Sequence, residues 1–347
     1  MTGTLRLIRS LGALGALVIL IVIITLAQPG FLAYGNLMNI VSQWAPVAIM
    51  GIGMTYIVIT GGFDLSIGSM YALCAVVAAA LGRTQSPLVA FAVALAVGFA
   101  AGCLNGFVVT ALRVNPFIAT LGSSLILSGI TLVLTHNTAF VVNFPPFAVL
   151  GQGRIAGVPY SGILMLLLLV VGGVVLAFTP YGQSIYAVGG NAEASRLAGI
   201  RTSIVTASTY AISGVCAAIA GIITASQLAS AQANLNPNLV FDVLTVVIIG
   251  GTSLAGGRGA IWRTVVGVAV LAALQNGFNL LNIDANYQNI IKGVIIIAAV
   301  ASVHWRVLRR VRPLRIATAE RRAALPTEQH VVVETSQYDA TETHPNR

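Results

Sequence analysis

The chain has 347 residues, 57% of them hydrophobic and 8% charged, with a formal net charge of +9 and a mean hydropathy of +0.92. So apolar a chain excludes a soluble globular domain, which needs far more polar surface to face water. A nucleic-acid reader is excluded as well: the 18 basic residues form no aromatic-interleaved motif, and they read as a topology signal with an anionic-leaflet contribution.

Apolar runs of about 18 residues or more, the length that crosses a bilayer core, alternate with short Gly, Pro, Asn and Arg clusters. Hydrocarbon offers backbone groups no partners, so such runs must be helical. The period-two alternation of a membrane barrel is missing. The expectation is an all-α polytopic bundle with a short N-terminus, residues 1–10, a membrane domain over 11–304, and a tail over 305–347. Its spans are expected at 11–27, 38–60, 65–82, 88–111, 116–135, 160–178, 203–225, 239–249, 263–280 and 287–304, about ten helices. The first run is longer than a signal-peptide core and no small-residue cleavage site follows it, so it is kept as a span. The eighth is too short to cross alone, and Gly and Pro interrupt others. Broken helices of this kind line protein-enclosed paths in transporters.

Cys74, Cys103 and Cys216 all lie inside apolar runs without metal-ligand spacing and are expected to be small buried packing residues. Arg6 and Arg9 before the first span, and Arg306, Arg309, Arg310, Arg312 and Arg315 after the last, place both termini on the cytoplasmic side. Threading an even number of helices then puts Arg113, Arg196, Arg201, Arg258 and Arg263 inside and only Arg83 and Arg154 outside. The polar segment from about Pro313 onward has little capacity to fold alone. An internal echo links Thr55-Tyr-Ile-Val-Ile-Thr-Gly-Gly-Phe-Asp-Leu to Thr245-Val-Val-Ile-Ile-Gly-Gly-Thr-Ser-Leu, a short match that needs a gap.

No energy-coupling chemistry is visible in the chain. Lys292 is its only lysine and sits between Ile291 and Gly293, so a phosphate loop ending Gly-Lys-Ser/Thr is impossible. Of nine acidic residues, only Asp64, Glu193, Asp242 and Asp284 precede residue 320, a thin supply for a proton or sodium relay. His136 and His304 lie at span ends and His330 and His344 in the tail, and no hydrolytic triad or metal cluster is assembled. The reading left is a transport subunit driven by a separate ATPase, with no cofactor of its own.

Three ordered segments carry a resemblance: Gly61-Gly-Phe-Asp-Leu-Ser-Ile-Gly-Ser69, Val188-Gly-Gly-Asn-Ala-Glu-Ala-Ser-Arg-Leu-Ala-Gly-Ile200, and Ile249-Gly-Gly-Thr-Ser-Leu-Ala-Gly-Gly-Arg-Gly259. Together with Asn105-Gly106 and Asn115-Pro116-Phe117, they resemble the permease family of bacterial ABC sugar importers typified by the ribose permease, over about residues 35–305. The resemblance implies an inner-membrane permease working as a homodimer, or a heterodimer with a paralogue. Its implied partners are a cytoplasmic ATP-binding subunit, which uses the ATP, and a periplasmic sugar-binding protein.

The central loop is similar to the helix that docks on the ATPase, which singles out Gly190, Asn191, Glu193, Arg196 and Gly199. The residues alone agree: Asn191 suits an N-cap, and Glu193 and Arg196 suit the helix dipole. Asp64, Ser66, Asn105, Asn115, Asp242, Gly250, Gly251 and Thr252 are candidates for a substrate pathway or gate. For Asp64, capping the third helix with Ser66 is favoured over substrate contact, and the 250–259 loop reads as a close-packed turn or gate hinge. Lys292 is expected to snorkel outward or to pair with Asp284 or Asp242. Family members usually carry Tyr-Glu-Leu-Asp where this chain has Leu239-Val240-Phe241-Asp242, so the sugar stays open among pentoses, hexoses, inositols and polyols. A branched-chain amino-acid permease and an ion-coupled secondary carrier are the competing functions.

Overall fold

The computed structural model describes residues 3–284, 286–294 and 297. In chain order it contains α1 (Gly3–Ala27), a 3₁₀ turn (Pro29–Leu32), α2 (Tyr34–Ile59), α3 (Ile67–Gly82), α4 (Pro87–Thr110) and α5 (Pro116–Thr135). Then follow β1 (Phe140–Val141), α6 (Pro145–Gln152), β2 (Arg154–Ile155), β3 (Val158–Pro159), α7 (Tyr160–Phe178), α8 (Pro180–Gly190) and α9 (Ala192–Leu197). The last elements are α10 (Thr202–Leu228), β4 (Ser230–Ala231), α11 (Leu239–Ile249) and α12 (Ile261–Leu280), with residues 286–294 helical beyond them.

Among the described residues, six helices are long and apolar enough to cross a membrane: α2, α4, α5, α7, α10 and α12. The stretches Leu14–Ala27, Ile67–Gly82 and Leu239–Ile249 are apolar but shorter. The helical class expected from composition is therefore present, with boundaries close to those read from the apolar runs. The expected last span, 287–304, and the tail over 305–347 with its arginine cluster fall partly or wholly outside the described residues. Small strands are the addition: β1 pairs antiparallel with β4, Phe140 opposite Ala231, and β2 with β3, Arg154 opposite Pro159.

Several helix starts follow from local chemistry. Pro116 and Pro180 occupy first-turn positions where a missing N–H costs nothing. The residues before them cap the turn: Asn115 Oδ1 accepts from Phe117 N at 2.9 Å, and Thr179 Oγ1 from Gly182 N at 3.2 Å.

The centre of the bundle is α2, buried at every residue from Trp44 to Ile59 and packed against α7, α10, α11 and α12. Beside it α10 lies on α4 with almost no separation. Gly98, Gly102 and Gly106 form a ridge one turn apart on α4, and a Cβ at Gly102 would sit 2.4 Å from the Tyr210 carbonyl oxygen. Small residues at four-residue spacing let helix backbones meet directly, the usual packing solution where lipid removes any hydrophobic drive between helices. This ridge corrects one expectation. Cys74 and Cys216 are buried, but Cys103 is exposed, because Gly102 and Gly106 take the packed face and turn their neighbour outward.

Two helices start inside the bundle instead of at its end. After Ile59 the chain reverses, so that a Cβ on Gly62 would lie 3.1 Å from Ile57 Cγ2. Ser213, which pairs with Asp64, stands beside Gly53, nearly two turns before the end of α2. Thus α3 begins at depth, and the start of α11 meets it there: a Cβ on Gly68 would be 3.5 Å from Val240 Cβ. With 11 residues, α11 is only about 16 Å long at 1.5 Å per residue.

Because the α4–α10 contact leaves no room for a side chain, Gly102→Ile should destabilise the detergent-purified chain by about 1–3 kcal/mol or more. Gly15→Ile, at an exposed position with nothing within 4 Å, should leave the melting temperature unchanged. Equal melting temperatures for the two variants would contradict the packing.

Candidate functional site

A fully buried carboxylate marks the first break. Asp64 has no exposed surface, and its oxygens are surrounded by donors. Oδ1 accepts from Ser66 N at 3.0 Å and Ser66 Oγ at 2.5 Å, while Oδ2 accepts from Ser213 Oγ at 2.9 Å. Asn105 Nδ2 then donates to Ser66 Oγ at 2.7 Å, so that α3, α4 and α10 are tied to one side chain. Tyr210 Oη donates to the Phe63 carbonyl at 3.1 Å, and Leu65 N donates to Thr120 Oγ1 at 3.1 Å. Of these, the three bonds that end on the Asp64 oxygens are the charge-assisted ones, the strong kind in a low dielectric. The carboxylate therefore closes the α2–α3 turn, but the expected side-chain cap of α3 is not made: Ser66, at the N-cap, accepts no helix amide, and Asp64 takes the amide of Ser66 itself. Every named donor is a protein group.

The second feature is a three-way joint where α2 ends. The echo between the two Gly-Gly segments extends without the expected gap: Thr55 corresponds to Thr245 and Gly61 to Gly251. Both helices end in the same cap. Gly61 N bonds to Val58 O and Gly62 N to Ile57 O, as Gly251 N bonds to Ile248 O and Thr252 N to Val247 O. Gly61 and Gly251 have φ of 84° and 87°, the left-handed conformation this cap requires and glycine adopts freely. Thr55 and Thr245 each return a hydroxyl to the carbonyl four residues back. The two turns then diverge, toward the Asp64 network after α2 and toward the 250–260 loop after α11.

That loop folds back onto α2, Gly257 N donating to Ile59 O at 2.8 Å. The end of α8 completes the contact. A Cβ on Gly189 would fall 1.7 Å from Ile59 O and 2.7 Å from Gly257 N, and Tyr186 Oη donates to Gly259 O at 2.8 Å. Gly250 thus belongs to a packed turn, a Cβ there falling 2.4 Å from Arg263 O, whereas Gly251 is exposed. Thr252 is buried beside them, its hydroxyl unpartnered among the described residues. Directly after the joint, Asn191 Oδ1 accepts from Ala194 N at 2.9 Å and starts α9. On α9 Glu193 pairs with Arg196 at 2.6 Å, both exposed, and these bonds hold the Glu193 carboxyl below the usual carboxylate range. A Cβ on Gly190 would meet nothing within 4 Å, although the Gly190 backbone packs on Gly257, and Gly199 has a φ of 86°. The central segment is more structured than a polar loop, since α8 precedes the anticipated short helix.

Of the remaining candidates, Asn115 is an exposed cap, and Asp242 is paired with Lys292 at 3.1 Å, one of the partners anticipated for that lysine. Asp284 is exposed and caps locally, accepting from Asn286 N. Sequence reasoning missed Tyr186, Tyr210 and Ser213, and the hydroxyl cluster in which Ser69 Oγ lies 2.7 Å from Ser124 Oγ and 3.0 Å from Ser128 Oγ. Each lies in or beside a helix-forming stretch with other polar residues nearby, and the only available signal was that a polar group buried in a membrane bundle requires a partner.

Long apolar helices around two interrupted ones, joined by a polar articulation at one end, define a polytopic membrane permease. The chain belongs to the family described as branched-chain amino acid transport system / permease component, whose model matches residues 36–300. It is 42% identical over 282 residues to the ribose import permease protein RbsC of Escherichia coli (strain K12), covering 80% of this chain and 88% of the relative. To RbsC of Bacillus subtilis (strain 168) it is 37% identical over 297 residues, covering 84% and 92%. To the galactofuranose transporter permease protein YtfT of Escherichia coli (strain K12) it is 33% identical over 286 residues, covering 81% and 83%. No solved structure matches. The resemblance to ribose-type permeases read from the three motifs is thereby borne out.

If Asp64 organises the break, Ser213→Ala should lower unfolding stability by about 1.5–3 kcal/mol, the range for a hydrogen bond to a charged group. Asp64→Ala should cost more, because it strands several buried donors at once. Thermal unfolding in detergent measures both, and an Asp64→Ala protein as stable as wild type would contradict the assignment.

Proposed function

We propose that this chain is the membrane-spanning subunit of an ATP-binding-cassette importer that moves a sugar or polyol across the bacterial inner membrane. The observation that carries the reading is the joint of Ile59, Gly189 and Gly257, because it links α9, the polar helix suited to a partner, directly to the two interrupted helices. ATP-driven movement then has an entry point in a chain whose sole lysine rules out a phosphate loop ending Gly-Lys-Ser/Thr. The named relatives, permeases for ribose and galactofuranose, support a sugar over the amino acid in the family's description.

In this reading α8 and α9 dock on a cytoplasmic ATP-binding subunit, with Gly190, Asn191, Glu193, Arg196 and Gly199 at the contact. A periplasmic binding protein selects the sugar and delivers it at the opposite end, and two permease subunits, identical or paralogous, enclose the passage. About ten spans with both termini cytoplasmic fit the arginines. Arg113 follows α4, Arg201 precedes α10, and Arg258 and Arg263 flank the start of α12, all at the joint end, whereas Arg83 and Arg154 lie at the other. Short loops rich in arginine stay on the cytoplasmic side. Asp64, Ser66 and Asn105 then shape the pathway by holding the start of α3, and Gly250, Gly251 and Thr252 form the turn through which the joint acts on α11. Because the binding protein selects, the passage itself need not hold its sugar tightly.

Reconstitution in liposomes tests the proposal. The permease with its ATPase and sugar-loaded binding protein should accumulate sugar in an ATP-dependent way, and the permease alone should not. Uphill uptake by the lone chain on a sodium or proton gradient would contradict it, and ATP-driven uptake of branched-chain amino acids would favour the amino-acid alternative. Within the complex, Glu193→Ala with Arg196→Ala should leave insertion intact, since both side chains are exposed, while reducing ATPase co-purification and uptake together. Wild-type values for both would return α9 to a solvated helix without a partner.

A further inference from the structure

One charged cluster lies inside the bundle and has no part in the coupling joint. Lys292, in the helical 286–294 segment, places Nζ 3.1 Å from Asp242 Oδ1 and 3.4 Å from Oδ2, and 3.3 Å from Gln275 Oε1 on α12. The Lys292 and Asp242 side chains are 16% and 13% exposed. An ammonium has three protons to donate, and three protein oxygens stand around it. The cluster is a closed set, and it ties α11, α12 and the 286–294 segment together at one point.

Such a pair is a poor device for stability. Two charges removed from water seldom recover their desolvation in mutual attraction, and well-packed neutral residues often serve as well or better. Ionisable groups at membrane depth are costly and typically retained for function. Their location here is specific. Asp242 lies in the first turn of α11, where the positive end of the helix dipole favours a carboxylate, and one turn of chain includes Val240, which packs on Gly68 at the start of α3. The other end of α11 runs into the 250–260 loop and the joint with α2 and α8. The short helix is therefore held at one end by the ion pair and at the other by the element that the proposed ATPase would move.

We propose that Asp242 and Lys292 are positioning residues for transport: their ion pair, with Gln275, pins the inner end of α11 against the break at α3. Displacement of the 250–260 loop then turns α11 about a fixed point instead of sliding it. This inference rests on the reading of the chain as an ATP-driven permease, and it predicts that loss of the pair uncouples hydrolysis from movement without preventing assembly.

The test uses the complete complex of permease, ATPase and sugar-loaded binding protein in liposomes, reading sugar taken up per ATP hydrolysed. Wild-type complex establishes ATP-driven sugar uptake first, so failure of the functional reading shows there and not in the variants. Asp242→Asn with Lys292→Gln keeps size and polarity and removes both charges. That double variant should accumulate, assemble and hydrolyse ATP like wild type, with uptake per ATP reduced at least tenfold and half-saturation by loaded binding protein unchanged. Lys292→Arg, which keeps the charge, should stay within threefold of wild type. Wild-type uptake per ATP in the double variant would overturn the proposal. So would failure of the double variant to accumulate, since the pair would then be a requirement of folding.

Discussion

Just past the end of α2, one carboxylate lies beyond the reach of water, and the surrounding structure depends on satisfying it. A polar group left unpaired in a low-dielectric interior costs more than a typical hydrogen bond returns. Asp64 answers for the turn by taking the Ser66 amide, and the protein answers for Asp64 with hydroxyls from α3 and α10. Those hydroxyls must arrive at fixed positions, and the direct backbone contact of α10 on the Gly98–Gly102–Gly106 ridge of α4 delivers them. An irregular backbone inside a membrane is tolerable only where protein encloses it, so the most tightly packed helices are found around the least regular segment.

The second break solves the same problem with different chemistry. α2 and α11 end in one and the same glycine cap, yet the chain after α2 goes inward to a hydrogen-bonded carboxylate, and the chain after α11 goes out and returns to seal Ile59. At the inner end of α11 the acid is met by an ammonium rather than by hydroxyls. Hydroxyls donate without adding charge and suit a permanent turn. An ion pair between different helices fixes a position at the expense of desolvation, which suits the fixed point that the proposed turning of α11 requires.

Much of this was legible in the sequence, for physical reasons. Run length fixed where helices lie because the bilayer has one thickness. Asp64 stood out as an acid at an apolar boundary, and Asn191 as a cap with Glu193 and Arg196 behind it. The partners did not stand out. Ser213 and Tyr210 sit in α10 far along the chain from Asp64, and nothing local distinguishes them from other small polar residues in an apolar helix. Cys103 was read as buried because its neighbours are apolar, but in lipid apolar neighbours mark an outer face as readily as an inner one. The return of the 250–260 loop to Ile59 was invisible because it depends on Gly189 lacking a side chain, a fact that acquires meaning only when the third element is in place.

The central claim is that α8, α9, the 250–260 loop and the end of α2 form one rigid joint through which a partner's motion enters the bundle. Spin labels at Ala194 on α9 and Ala255 on the loop, both exposed, report on it directly by electron–electron distance measurement in the assembled complex. The account predicts a single distance distribution that is the same without nucleotide and with ATP bound. A shift, or a second population appearing with ATP, would mean that the loop and the helix move independently, and would contradict it.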